Sequence, residues 1–302
     1  MRRVDSNYVL FDGFTSSTVN VGETTIFIRR KGTGRPLLLL HGFPETHLMW
    51  HRVAPMLTPH FTVVCADLRG YGLSGKPESS PDHASYSKSA MALDMVRMME
   101  AQGFSRFAIA GHDRGGRVAY RLALDHADRV AGLALLDIIP TGDAFHRADA
   151  RFALGFWPWS LLAQPAPLPE RLIAAAPEAV VDHAFTSWGS DRVMFPADIR
   201  AAYVAALRDP ATAHGICEDY RAAATVDRER DDADRAAGRR IDSPTLVLWS
   251  RGGPLDTWYG DGGALSIWRE WTTRVRGRAI AGGHFFPEQN PVETANELRA
   301  FL

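Results

Sequence analysis

The stretch Phe107-Ala108-Ile109-Ala110-Gly111-His112-Asp113-Arg114-Gly115-Gly116-Arg117 decides how this chain is read. Its first residues form an apolar run of strand length, and a helical pattern follows from Gly115 to Asp125, so Asp113 falls on a strand-to-helix turn. Such a turn is tight, needs small residues on either side, and lifts its central side chain above the carboxyl end of a sheet. Taken alone, Gly-x-Asp-x-Gly also fits an ordinary turn whose Asp caps the helix. Its surroundings decide between the two.

Other short apolar runs alternate with helical stretches. The strands predicted are Thr24 to Arg29, Pro36 to Leu40, Phe61 to Ala66, Phe107 to Ala110, Gly132 to Leu136, Thr245 to Trp249 and Arg278 to Ala281. Between them the pattern predicts helices over Ser87 to Ala101, Gly115 to Asp125, Leu265 to Thr273 and Pro291 to Leu302. This order gives an α/β fold with a mostly parallel central sheet. From about Thr141 to Ile241 strand signals vanish, which predicts an inserted helical cap over residues 141–241 and a core domain made of residues 1–140 and 242–302. The charged run Asp227 to Arg240 reads as the solvated exit from that cap.

At 302 residues the chain is long enough for one large domain with such an insertion. A formal net charge of −1 gives no electrostatic reason to expect nucleic acid or a membrane surface as partner. Cys65 and Cys217 are too few for a disulfide framework, and Cys65 lies in an apolar run, so a buried free thiol is expected. The twin arginine Arg2-Arg3 is followed by no apolar stretch of signal-peptide length, which makes cytoplasmic residence the expectation.

Two further loops give the turn at Asp113 its context. His41-Gly42-Phe43-Pro44 directly follows a strand, and the N–H of Phe43 together with that of Arg114 would make a two-donor oxyanion hole. Gly282-Gly283-His284 follows the last predicted strand, giving the chain order nucleophile, acid, histidine. For the acid, Asp137 sits immediately at a strand end and is preferred to Asp256, whose Gly-Gly-Pro-Leu-Asp stretch also suits a helix cap. A carboxylate nucleophile is ill suited to acyl transfer but suited to displacing a leaving group from saturated carbon, leaving an ester for water to cleave. Asp113 is ionised at neutral pH, so His284 would act on water in the second step, its tautomer held by Asp137.

Arg114 and Arg117 fall in the first turn of the helix that Asp113 opens. Cations there oppose the helix dipole, which suggests an anion to be bound: a substrate carboxylate, or an acid of the protein itself.

Taken together these residues resemble the haloacetate (fluoroacetate) dehalogenases of the α/β-hydrolase superfamily. The likeness runs through His41 to Trp50, Asp67 to Gly72, Gly111 to Arg117, Trp159 to Pro169, Cys217 to Arg221 and Gly283-His284-Phe285, nearly the whole chain. It implies catalysis by Asp113, His284 and Asp137, carboxylate binding by Arg114 and Arg117, halide binding by Trp159 and Tyr220, no cofactor or metal, and a homodimer. Where the family carries a halide-binding His this chain has Pro158, which predicts poorer stabilisation of departing fluoride. Trp157 also carries an N–H but reads as core. The alternative activity is an epoxide hydrolase, which shares the Asp nucleophile but needs two cap tyrosines as acids; the cap offers Tyr203 and Tyr220. A non-catalytic small-molecule receptor is disfavoured by the intact Asp113, Asp137 and His284, and a serine esterase by the lack of any Gly-x-Ser-x-Gly.

Overall fold

The computed structural model describes residues 10–260 and 262–302, so the Arg2-Arg3 pair lies outside the described residues. Eight strands form one sheet: β1 (Thr15–Asn20), β2 (Thr25–Lys31), β3 (Arg35–Leu40), β4 (Phe61–Ala66), β5 (Phe107–His112), β6 (Val130–Leu136), β7 (Thr245–Ser250) and β8 (Val275–Ile280). Their spatial order is β1-β2-β4-β3-β5-β6-β7-β8. β1 pairs antiparallel with β2 and β2 with β4, while every pairing from β4 through β3 to β8 is parallel.

All seven predicted strands are present, and β1 is the addition. Its sequence Thr-Ser-Ser-Thr-Val-Asn is polar and nearly all exposed, so it carries no apolar alternation; an edge strand with polar faces leaves little to read. The central strands β3, β4 and β5 are buried along almost their whole length, as strands covered by helices on both faces must be. Two apolar clusters lie on opposite faces of the sheet: Leu38, Leu40 and Val64 point into one, Leu37, Leu39, Val63 and Trp50 into the other. That alternation is the period of two of a pleated strand.

Between β6 and β7 the chain is helical, from Thr141–His146 to Arg228–Ala236. Pro210–Ala222 and Arg228–Ala236 are joined through a wider turn at Ala223–Asp227. The charged run that ends this segment differs from its predicted solvated character. Asp227, Asp231 and Asp234 are buried on one face, at a spacing of four and then three residues. Asp227 accepts from the Lys88 main-chain N–H at 2.8 Å, Asp231 Oδ2 from the Tyr120 hydroxyl at 2.8 Å and the Gly142 N–H at 2.9 Å, and Asp234 pairs with Arg121 at 2.6 Å. The acids therefore bolt this helix onto the Lys88–Ala101 and Asp113–Asp125 helices. The partners lie far away in sequence, 89 residues at the nearest, so local charge density alone suggested solvent.

Burial pushes the Asp231 carboxyl up to about 7, against the lowering effect of Gly142, Tyr120 and Arg121. Because this exceeds the unfolded value of about 4, the group's contribution to stability is complete below about pH 4 and is lost as pH rises through about 7. The thermal unfolding temperature of Asp231→Asn should thus fall less steeply than that of the unaltered protein between about pH 4 and 7. Parallel curves would show that the carboxyl ionises normally in the fold.

Cys65 and Cys217 are both buried free thiols. No helix among the described residues is long and apolar enough to cross a membrane.

Candidate active site

Asp113 stands where β5 ends and the Asp113–Asp125 helix begins, with a left-handed φ of 45°. For a residue with a Cβ that conformation costs on the order of 1–2 kcal/mol, which the flanking packing must hold in place. The glycines follow from closeness: a Cβ on Gly115 would lie 2.5 Å from the His41 carbonyl oxygen, and one on Gly42 would lie 2.4 Å from the Asp113 Cβ. The His41-Gly42-Phe43 loop thus runs against the turn, and the Phe43 N–H donates to Asp113 Oδ1 at 2.9 Å. The other oxygen, Oδ2, faces His284 Nε2 at 4.0 Å. Burial works to raise this carboxyl, but His284, Arg114 and Arg117 together outweigh it and hold Asp113 below its ordinary value. It is a buried, ionised carboxylate with one oxygen anchored and the other turned to a cavity.

His284 lies beyond β8, and its Nδ1 is 2.6 Å from Asp137 Oδ2. Asp137, at the end of β6 with φ 55°, is fixed in turn by the Ser250 N–H on its Oδ1 at 2.8 Å. A carboxylate on Nδ1 keeps the proton there and leaves Nε2 as a bare acceptor directed at Asp113. Asp256 is elsewhere: it accepts from Trp249 Nε1 and the Gly252 N–H, both at 2.8 Å, and is exposed.

The two arginines differ. Arg114 is fully buried and grips Asp219, Nε to Oδ2 at 2.8 Å and Nη2 to Oδ1 at 2.7 Å, with Tyr220 stacked 4.1 Å from its guanidinium carbon. Lys88 and the Tyr71 hydroxyl also bond to Asp219. The acid of the protein that was one of the two expected explanations for these cations is therefore real for Arg114, and among the described residues Nη1, with its two N–H groups, is left without a partner. Arg117 donates through Nη1 to the Ile139 carbonyl at 2.9 Å and to Thr141 Oγ1 at 3.2 Å, lies 4.3 Å from the Trp159 ring centre, and keeps an unpartnered Nε. Burial, reinforced by Arg114, lowers its pKa. Two cations side by side, each with a buried unsatisfied N–H, call for an anion.

Asp113, Arg117, Asp137, Trp159, Trp188, Tyr220 and His284 line one enclosed cavity, closed by Ile138, Phe152, Phe156, Leu255 and Tyr259. The room it gives the centre of a water-sized sphere is about 20 Å³, little above the ~10–15 Å³ a single water occupies by that measure. Pro158 is buried at the first position of the short Pro158–Leu161 helix, one residue before the lining Trp159 and itself outside the cavity wall, where it has no N–H to offer. Trp157 packs edge-on to Phe43 at 6.4 Å and lies outside the cavity wall, with its indole N–H unpartnered. Tyr203 is also outside, its hydroxyl donating to Glu288 Oε1 at 3.3 Å.

Sequence reasoning missed Asp219, the wall residues Phe152, Phe156 and Tyr259, and the pair Glu45 and His112 behind the nucleophile. Asp219 stood in the quoted segment Cys217 to Arg221, where an acid immediately before Tyr220 was the available signal. The wall residues carry none, since an aromatic facing a cavity and one facing the core look alike in sequence.

A family model described as the α/β hydrolase fold matches residues 35–291. A fluoroacetate dehalogenase from a Burkholderia species is 45% identical over 294 residues, 97% of this chain and 95% of the relative. A soluble epoxide hydrolase from a Corynebacterium species is 30% identical, over 90% of this chain and 92% of its own. Among solved structures, a candidate α/β hydrolase from Nostoc sp PCC 7120 superposes with a TM-score of 0.93 at 45% identity, covering 96% of this chain and 98% of that one.

Proposed function

This chain belongs to the α/β-hydrolase fold family, and on that premise we propose that it hydrolyses 2-haloacetates to glycolate, halide and a proton through an ester on Asp113. One observation carries the reading: an ionised carboxylate, in place of a serine, opens into a cavity of about 20 Å³ lined by Arg117, whose Nε is unsatisfied, with Arg114 stacked on the lining ring of Tyr220. The full-length likeness to the Burkholderia fluoroacetate dehalogenase supports it.

In the first step Asp113 Oδ2 attacks the halogen-bearing carbon; the C–O bond forms as the carbon–halogen bond breaks, and halide leaves with the electron pair. Arg117 and the free Nη1 of Arg114 hold the substrate carboxylate, which fixes the carbon in line with Oδ2. Trp159 and Tyr220 receive the halide. In the second step water attacks Cγ of Asp113 and gives its proton to His284 Nε2, and the charge that develops on Oδ1 meets the Phe43 N–H already placed there. Asp137 orients His284 and stabilises its imidazolium. The Arg114 N–H completes the oxyanion hole. Glycolate then leaves with the oxygen that Asp113 contributed.

The same cavity weighs against epoxide opening. That reaction needs two acids on the leaving oxygen; of the two cap tyrosines Tyr203 is committed to Glu288 outside the cavity, and the second tyrosine of the wall, Tyr259, comes from the core segment and not from the cap. The helical segment 141–241 serves as the cap over the core of residues 1–140 and 242–302, supplying Trp159, Trp188 and Tyr220 to the cavity. The protein acts in the cytoplasm as a homodimer.

Parallel halide-release kinetics on fluoroacetate, chloroacetate and bromoacetate test this function. Bromoacetate and chloroacetate should turn over well and fluoroacetate worst, because fluoride most needs the donor that Pro158 withholds. Pro158→His should raise kcat for fluoroacetate by about ten- to a hundred-fold, the worth of one hydrogen bond to a charged group, and change bromoacetate little. No halide release from any of the three would overturn the assignment.

A further inference from the structure

We propose that Glu45 is a positioning residue for ester hydrolysis: bearing a proton on Oε2, it fixes His112 as a neutral ring whose Nε2–H holds the main-chain carbonyl of His284. The proposal rests on the reading of His284 as the base of that step.

The hydrogen-bond pattern fixes the proton. His112 Nε2 lies 2.9 Å from the His284 carbonyl oxygen, and a carbonyl only accepts, so Nε2 carries hydrogen. The other ring nitrogen, Nδ1, is 3.2 Å from Glu45 Oε2. In a neutral imidazole with Nε2–H, Nδ1 is bare and must accept, so Glu45 is the donor. The alternative, an imidazolium facing a carboxylate, would set a cation beside His284, whose ring centre is 4.5 Å from that of His112, in a step that requires His284 to take up a proton. Burial works in the same direction for both partners, lowering His112 and raising Glu45 to about 7.

The surroundings of Glu45 favour its acid form. Glu45 and Glu288 are 1% and 2% exposed and face each other. Glu45 Oε1 and Glu288 Oε2 meet no N–H or O–H donor among the described residues, a deficit that a second carboxylic proton, held by Glu288 and given to Glu45 Oε1, removes while Glu45 keeps its own on Oε2. The other polar groups packed on the pair do not neutralise it. The Tyr203 hydroxyl donates to Glu288, the Arg52 guanidinium takes the Glu288 main-chain carbonyl at 3.0 Å, and His51 Nδ1 donates to the Leu48 carbonyl at 2.9 Å. Burial, the largest effect, and Asp113 favour the acid form of Glu45, against the hydrogen bond from Glu288 and the charge of His284. The His284 main chain is thereby held on both sides, its N–H on the Trp188 carbonyl at 2.8 Å and its carbonyl on His112. His112 also immediately precedes the nucleophile, so a tilt of its ring reaches both steps' reacting groups.

Nitrogen-15 NMR of labelled histidine, read with single-turnover kinetics, tests this. His112 should appear as the neutral Nε2–H tautomer in the full-length protein and keep it in Glu45→Gln, whose amide can donate to Nδ1. Glu45→Gln should hold ester hydrolysis within about three-fold, while Glu45→Met, lacking the donor, should slow hydrolysis by about ten- to a hundred-fold and leave alkylation nearly unchanged. An imidazolium at His112, or equal impairment of both half-reactions in the Gln and Met variants, would overturn the proposal. Native hydrolysis in Glu45→Met alongside a dead His284→Gln would do so while leaving the role of His284 intact; native hydrolysis in His284→Gln would instead remove the premise.

Discussion

Asp113→Asn is expected to abolish halide release from chloroacetate, lowering kcat/KM by about 10⁴-fold or more while chloroacetate still binds. In the proposed reaction Asp113 makes the bond that replaces carbon–halogen, and among the described residues no other carboxylate lines the cavity except Asp137, which is committed to His284 at 2.6 Å. An amide keeps the shape of the turn and its acceptor for the Phe43 N–H, so the loss reads chemistry rather than folding. Binding persists because it is supplied by Arg117 and the free Nη1 of Arg114. If the variant still released halide at a tenth of the native rate, displacement by this carboxylate would be wrong, and attack by water would replace it.

His284→Gln is expected to separate the two steps. Alkylation needs no base, and Arg114 and Arg117 still favour the ionised form of Asp113 once His284 is replaced, so one equivalent of halide per site should appear at close to the native rate. Hydrolysis then lacks its base and should slow by about 10³-fold or more. The protein should accumulate with the added mass of one carboxymethyl group, localised to the peptide that contains Asp113. A steady release of halide without that adduct would show that His284 is dispensable for the second step, and halide release lost altogether would assign it to the first.

The parts of this account that were legible in sequence share a property: they are local. The strand, the glycines and Asp113 lie within a dozen residues, and the geometry of the turn follows from the closeness of Gly42 and Gly115 to their neighbours. His284 and Asp137 were legible because each directly follows a strand, and the parallel order of β5, β6, β7 and β8 brings those strand ends to one edge. What escaped depends on long-range pairing. Arg114 was read as reaching for a substrate, and most of its donors are taken by Asp219, over a hundred residues on, leaving only Nη1 for an anion. The acids Asp227, Asp231 and Asp234 looked like a solvated exit and are buried fasteners. The edge strand β1 left no apolar pattern to find. In each case a charged or polar side chain took its meaning from a partner that the chain supplies elsewhere.

The consequence for mechanism is a division of labour between the arginines. In the proposed reaction Asp219 holds Arg114 rigid with its Nη1 left for the anion, while Arg117 lines the cavity directly. A preset donor costs little reorganisation when charge moves from Asp113 to the departing halide. The same logic places the Phe43 N–H on Oδ1 before the ester exists, ready for the oxyanion of the second step.

The central claim, a covalent ester on Asp113, is tested most directly by a single turnover of chloroacetate in water enriched in heavy oxygen, with enzyme in excess. The account predicts that the first glycolate carries unlabelled oxygen and that heavy oxygen enters the Asp113 carboxylate, with labelled glycolate appearing only in later turnovers. Label in the glycolate of the first turnover, with none in Asp113, would contradict it.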